Sequence, residues 1–227
     1  MNPPWTRDEV ILGLDVLFSM DTKNFSVENE AIIELSKLLN SLPLIPLSER
    51  DETFRNPSGV RRQLLTFEWG LQKKKKPIHV GEIFYTVYNE IGKNKILISE
   101  IAQSIKRNSD FVKSIGFSYF PSTVEFPEGV ILFNLHSFLE NRHGFRFSKT
   151  CNSCSICGLN PQTAFHLRET ARFLDPHLLV LPQDMRPEMR FSGKDFITVC
   201  PNCHQVLHQY RPWRSRSQCE QILKTLG

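Results

Sequence analysis

Between Cys154 and His208 the chain concentrates side chains that bind metals. Cys154-Ser-Ile-Cys157-Gly158 is followed, about forty residues later, by Cys200-Pro-Asn-Cys203. Two Cys-x-x-Cys pairs at this separation have the spacing of knuckles that share one tetrahedral Zn²⁺ through four thiolates. Cys151 stands three residues before Cys154, so the first knuckle is either Cys151 with Cys154 or Cys154 with Cys157. Gly158 favours the later pair, because a tight turn after the second thiolate suits amide-to-sulfur hydrogen bonds. His204 and His208 are four residues apart and share one face of any helix that starts near Pro201, which suggests a second, open metal site beside the closed one.

The wider pattern carries a resemblance. Phe173-Leu-Asp175-Pro-His177 precedes Asp195-Phe196, then Cys200-Pro-Asn-Cys203-His204 and His208, with Glu128-Gly129 through His136 and Glu140-Asn-Arg142 upstream and a basic tail downstream. Over residues 125–216 this is similar to the zinc-containing branch of the HNH, or ββα-metal, endonucleases. The resemblance implies a structural zinc on Cys154, Cys157, Cys200 and Cys203, and Mg²⁺ or another divalent ion on His204 and His208. It implies that His177 lies on the first strand, where the family has its proton-abstracting histidine, and that Asp195 stands where an Asn or Asp braces the loop. Such a site cleaves a phosphodiester by stabilising charge with the ion while a base takes a proton from water. The chain departs from the family at Pro176-His177-Leu178, where two adjacent polar residues are the rule. If His177 is a ligand, Leu178 replaces the base; if His177 is the base, Pro176 replaces the ligand. Asp175 as a substitute ligand, or His166, would then have to supply the missing group. The implied function is a metal-dependent DNA endonuclease. The competing reading is a degenerate module that binds DNA without cutting it, and a weaker third is a zinc-dependent interaction domain.

Composition sets the frame for these residues. With 227 residues, 40% of them hydrophobic, the chain can bury one sizeable core or two modest ones. The N-terminus lacks the basic-then-apolar layout of a signal peptide, no apolar run is long enough for a membrane span, and cysteines used as ligands fit a reducing compartment; a soluble, cytoplasmic protein without a membrane partner is expected. A net charge of +4 permits a polyanionic partner without demanding one.

An α+β protein is expected, with a mainly helical N-terminal domain (1–107), a connector (108–124) and a zinc-stapled ββα module (125–227). Thr6-Arg-Asp-Glu9 reads as a capping box opening a helix with Val10, Ile11, Leu14, Leu17 and Phe18 on one stripe. Further helices are expected over Ser26–Leu42, from an N-cap at Ser58, over Val80–Ile91 and over Ser99–Arg107. Gly129–Phe133 reads as a short strand. His136 and His143 beyond it read as packing or surface residues, having no second ligand at metal spacing.

Between residues 55 and 76, seven cations (Arg55, Arg61, Arg62, Lys73, Lys74, Lys75 and Lys76) face Glu68 alone, giving +6, more than the whole chain carries. Such a segment either contacts a phosphate backbone or forms a solvated basic face. The same choice applies to Arg211, Arg214 and Arg216 in the tail. Pro4-Trp5-Thr-Arg-Asp-Glu9, Phe54 through Val60 and Leu64-Leu-Thr-Phe67 resemble the domain that precedes the HNH module in many predicted bacterial endonucleases. That implies double-stranded DNA as partner and a role in restriction or defence; a palindromic target would call for a homodimer.

Overall fold

The computed structural model describes residues 2–20, 25–72, 81–116, 128–142, 152–166, 173–210, 213 and 216–226. The lysines at 73–76, Arg211, Arg214, Cys151, His143 and residues 117–124 of the expected connector lie outside these residues, as does the side chain of Arg216. Among the described residues the chain is mostly helical with one small antiparallel sheet, an α+β composition, and it divides into two compact units. One comprises 1–125 with 129–131; the other comprises 126–128 with 132–227. No helix among the described residues is long and apolar enough to cross a membrane.

The first unit is built around α1 (Arg7–Ser19), which packs against α2 (Glu30–Ser41), α3 (Pro57–Gln72), α4 (Glu82–Val87) and α5 (Lys95–Ser114). The capping box forms as the sequence predicts: Thr6 Oγ1 accepts from the Glu9 N–H, and Glu9 accepts from the Thr6 N–H. The expected single stripe does not describe α1, because every residue from Arg7 to Leu14 is buried. Its charged first turn tolerates this because each charge meets a partner. Arg7 pairs with Glu90, Asp8 accepts the N–H groups of Val130 and Ile131, and Glu9 is gripped by Arg55.

That last pairing corrects the assignment of Arg55 as a DNA contact. Its guanidinium donates to Glu9 at 2.6 and 2.9 Å and to the carbonyls of Pro3 and Pro4 at 2.9 and 3.0 Å, and the residue is 5% exposed. Arg61 is partly engaged as well, donating to the Phe25 carbonyl at 2.9 Å, whereas Arg62 is exposed. The cap of α3 is Asn56, whose side chain accepts from Gly59 at 2.8 Å, rather than Ser58. Pro57 then occupies the first helical position, where a missing N–H costs nothing. α5 continues past the boundary expected at 107, to Ser114, and α4 passes into a π-helical turn over Tyr88–Gly92.

The segment expected to be a strand at 129–133 is helical: α6 spans Val130–Arg142. Ile131, Leu132, Leu135 and Leu139 are fully buried and recur at helical spacing, so the short apolar run is the start of a longer helical face. The Asp8 carboxylate takes the first two N–H groups of this helix, at 2.7 and 3.2 Å, acting as a cap supplied from elsewhere in the chain. Gly129 is required on two counts. Its φ is +82°, and a Cβ there would lie 2.8 Å from an Asp8 oxygen.

In the second unit, α6 is followed by the short α7 (Pro161–Phe165), β1 (Asp175–Leu178), β2 (Phe196–Val199), α8 (Pro201–Gln209) and α9 (Arg216–Leu226). The strands pair antiparallel with Asp175 opposite Val199 and Leu178 opposite Phe196. α8 contacts both strands. Leu174, Val199, Leu207 and Trp213 form the core, into which Cys154 and Cys200 also pack.

Candidate metal centres

Cys154 and Cys157 sit in a tight loop, and Cys200 and Cys203 sit where β2 turns into α8. The loop closes through hydrogen bonds from Cys154 N–H to the Leu159 carbonyl (2.8 Å) and from Gly158 N–H to the Cys154 carbonyl (3.0 Å), and Gly158 has φ +71°. A bond from Ser155 N–H to the Thr198 carbonyl (2.8 Å) fastens the knuckle to β2. All four sulfurs lie within 4.8 Å of one another, and Cys157 Sγ is 3.8 Å from Cys200 Sγ. Two sulfurs bound tetrahedrally at about 2.3 Å are separated by about 3.8 Å, so the four cysteines fit a metal such as zinc.

The thiols are poised unequally. Burial would raise Cys154, but the N–H groups of Cys157, Cys200 and Ile156 outweigh it and bring it down to about 7. Burial pushes Cys157 up, and burial followed by its three sulfur neighbours pushes Cys203 up. A cation between the sulfurs would favour the thiolate form of the two raised thiols, Cys157 and Cys203.

A second donor cluster gathers around Glu140 of α6. His136, Glu140, His177 and His208 each place one ligand atom within 4.8 Å of the others, and His204 adjoins them. α6 supplies His136 and Glu140 one turn apart, β1 supplies His177, and α8 starts at Pro201 and so presents His204 and His208 on one face. Glu140 Oε1 lies 2.5 Å from His136 Nε2 and 3.1 Å from His177 Nδ1, and it accepts the Leu178 N–H at 2.8 Å. Glu140 Oε2 lies 3.4 Å from His204 Nε2 and 3.8 Å from His208 Nε2, and those two nitrogens are 3.2 Å apart. His136 and His177 are fully buried, and Trp213 packs edge-on against the His177 ring. Burial would raise the Glu140 carboxyl, yet the imidazoles of His136, His177 and His204 hold it well below the usual carboxylate range. Burial would lower His204, but the Glu140 and Asp175 carboxylates reverse this and raise it.

The remaining candidates are placed apart from the centre of this cluster. Asp175 Oδ2 lies 3.4 Å from His204 Nδ1, while His204 Nε2 turns toward Glu140 and His208; Asp175 thus addresses the far side of the ring, as an orienting carboxylate does. Asp195 directs its carboxylate to the Ser192 N–H (2.7 Å) and hydroxyl (3.0 Å), and its carbonyl receives the Leu179 N–H (2.7 Å). It braces the loop before β2 and belongs to neither donor group. His166 is exposed at the end of α7, in a left-handed conformation with φ 53°, also outside both groups. Leu178, beside His177, is fully buried.

Two participants were not seen as such in the sequence: His136 read as a packing or surface residue, and Glu140 only as part of the upstream segment of the resemblance. Their i, i+4 spacing is a ligand signal on a helix, but it was invisible while the preceding run read as a strand. Comparison with known proteins adds no precedent: no family model, curated protein or solved structure matches the chain.

Proposed function

We propose that this chain is a divalent-metal-dependent DNA endonuclease of the HNH type, with a helical N-terminal domain preceding a ββα-metal module stapled by zinc. One observation carries the reading: a strand histidine, His177, and two helix histidines, His204 and His208, converge beside a zinc-fitting set of four cysteines. A divalent ion held there would neutralise charge developing on a phosphodiester and its leaving oxygen. Asp175 turns the His204 ring so that Nε2 faces the centre. Trp213 and the ring of His136 wall in His177 and exclude water from its buried side. Leu178 has no side-chain atom that accepts a proton, and an ion held here would supply that chemistry by lowering the pKa of a water it binds. Double-stranded DNA is the proposed substrate and bacterial restriction or defence the proposed setting, supported by the resemblance and by the cations between Arg61 and Lys76.

A specific observation favours a second reading, a DNA-binding module that does not cut. Leu178 fills the position of the family's second polar strand residue and is fully buried, paired in the ladder with Phe196. Supercoiled plasmid incubated with the protein and Mg²⁺, Mn²⁺, Co²⁺ or Ni²⁺, beside a His204→Ala control, decides between them. The endonuclease reading expects metal-dependent nicking that the control loses. Salt-sensitive DNA binding with no nicking under any metal selects the second reading.

A further inference from the structure

The distances around Glu140 separate groups that can share one ion from groups that cannot. Nitrogen and oxygen donors bound tetrahedrally at about 2.0–2.1 Å stand about 3.3–3.4 Å apart. His177 Nδ1 to Glu140 Oε1 (3.1 Å), His204 Nε2 to Glu140 Oε2 (3.4 Å) and His204 Nε2 to His208 Nε2 (3.2 Å) fall near that spacing, and His208 Nε2 to Glu140 Oε2 is longer, at 3.8 Å. His136 Nε2 to Glu140 Oε1, at 2.5 Å, is too short for two ligands of one ion and is instead a direct hydrogen-bond contact between imidazole and carboxylate. The Leu178 N–H, 2.8 Å from the same oxygen, fixes it from the strand side.

We propose that Glu140 is a metal ligand, completing a three-histidine, one-carboxylate centre with His177, His204 and His208, and that His136 is a positioning residue that holds the Glu140 carboxylate in place. The proposal rests on reading the histidine cluster as a divalent-ion centre, and it adds the ligand that the strand sequence lacks. It also assigns the class of ion. Three imidazoles and one carboxylate suit Zn²⁺, Co²⁺, Ni²⁺ or Mn²⁺, whereas Mg²⁺ favours oxygen donors and retained water. Asp175, on the outer nitrogen of His204, is the second positioning residue.

The test uses the full chain, stripped of metal, reloaded with one equivalent of Zn²⁺ to fill the four cysteines, and titrated with Co²⁺ by visible absorption and by metal analysis. The wild type is expected to take a second ion with a spectrum free of thiolate charge-transfer bands. Glu140→Gln is expected to lose that ion by more than the roughly 10–100-fold that removing an orienting partner costs, whereas His136→Asn and Asp175→Asn stay within that range. Retention of the zinc equivalent and of the far-ultraviolet helical signal shows that each variant is folded; Glu140→Asp, with a shorter carboxylate arm, takes the place of Glu140→Gln if the latter is not. A wild-type stoichiometry of one ion overturns the proposal, and so does a folded Glu140→Gln that binds the second ion as tightly as wild type. Neither count involves DNA. Two bound ions without cleavage sink the endonuclease reading and leave this one standing, and cleavage by a Glu140→Gln protein with normal metal affinity does the reverse.

Discussion

His136 and Glu140 lie one turn apart on α6 with Nε2 and Oε1 separated by 2.5 Å, and this pair brings a carboxylate from outside the strands and α8 into the histidine cluster. If His136 positions Glu140 rather than binding the ion, replacing it should loosen the centre without abolishing it. His136→Asn is expected to lower nicking at limiting metal by roughly 10–100-fold and to recover most of it at saturating metal. Rates measured across a metal titration check this; a loss that no metal concentration restores contradicts it.

The choice of ion should matter to activity in a particular way. Four protein donors fill the shell of a tetrahedral ion but leave two positions on a six-coordinate one. Mn²⁺, Co²⁺ and Ni²⁺ are therefore expected to support cleavage, and excess Zn²⁺ to occupy the same centre and suppress it. Competition of Zn²⁺ against Mn²⁺ in the plasmid assay measures this, and Zn²⁺-stimulated cutting would count against the four-donor arrangement.

The cysteine centre makes a prediction about protons. Cys157 and Cys203 are both pushed above the ordinary thiol value, so at neutral pH each carries a proton that a metal must displace. Loading metal-free protein with Zn²⁺ at pH 7 in dilute buffer is expected to release at least these two protons, and affinity is expected to fall steeply as pH drops. An indicator-dye titration gives the number directly. Uptake of Zn²⁺ with no proton release contradicts the assignment.

Asp8 sets a pH dependence in the first unit. Burial raises its carboxyl from 3.8 to about 6 against the opposing pull of the Val130 and Ile131 N–H groups. A carboxyl raised in the folded state contributes stability that is fully present below 3.8 and is lost as pH climbs through about 6. The swing is about 3 kcal/mol. Asp8→Asn is expected to flatten the stability profile between roughly pH 4 and pH 7. Urea unfolding of both proteins at several pH values tests it, and parallel profiles would show that Asp8 does not titrate as described.

Arg55 belongs to the first unit's interior. Arg55→Ala leaves the Glu9 carboxylate buried without its partner and is expected to cost about 3–5 kcal/mol. A loss below about 1 kcal/mol in chemical unfolding would mean that the pair is dispensable.

What could be read from sequence follows the range of the interactions involved. Cys154, Cys157, Cys200 and Cys203 were legible because a shared ion constrains local spacing, and the structure brings their sulfurs together. The Thr6–Glu9 box and the α8 start at Pro201 were legible for the same reason: each is a contact within one turn. Arg55 was misread because its partner, Glu9, lies 46 residues away, and a guanidinium in a basic segment looks free until that partner is placed. The α6 helix was misread because a short apolar run fits a buried strand or a helix equally well, and its cap, Asp8, is 122 residues distant from Val130. Losing that helix hid Glu140 as well.

The most direct test of the account follows cleavage against bound ion. Protein stripped of metal and given one equivalent of Zn²⁺ should leave supercoiled plasmid intact, and nicking should rise in proportion to a second equivalent of Co²⁺ or Mn²⁺ and then level off. His208→Ala should remain inactive throughout. Cleavage already complete before the second equivalent, or equal in His208→Ala, would contradict a catalytic ion at the His177, His204 and His208 cluster.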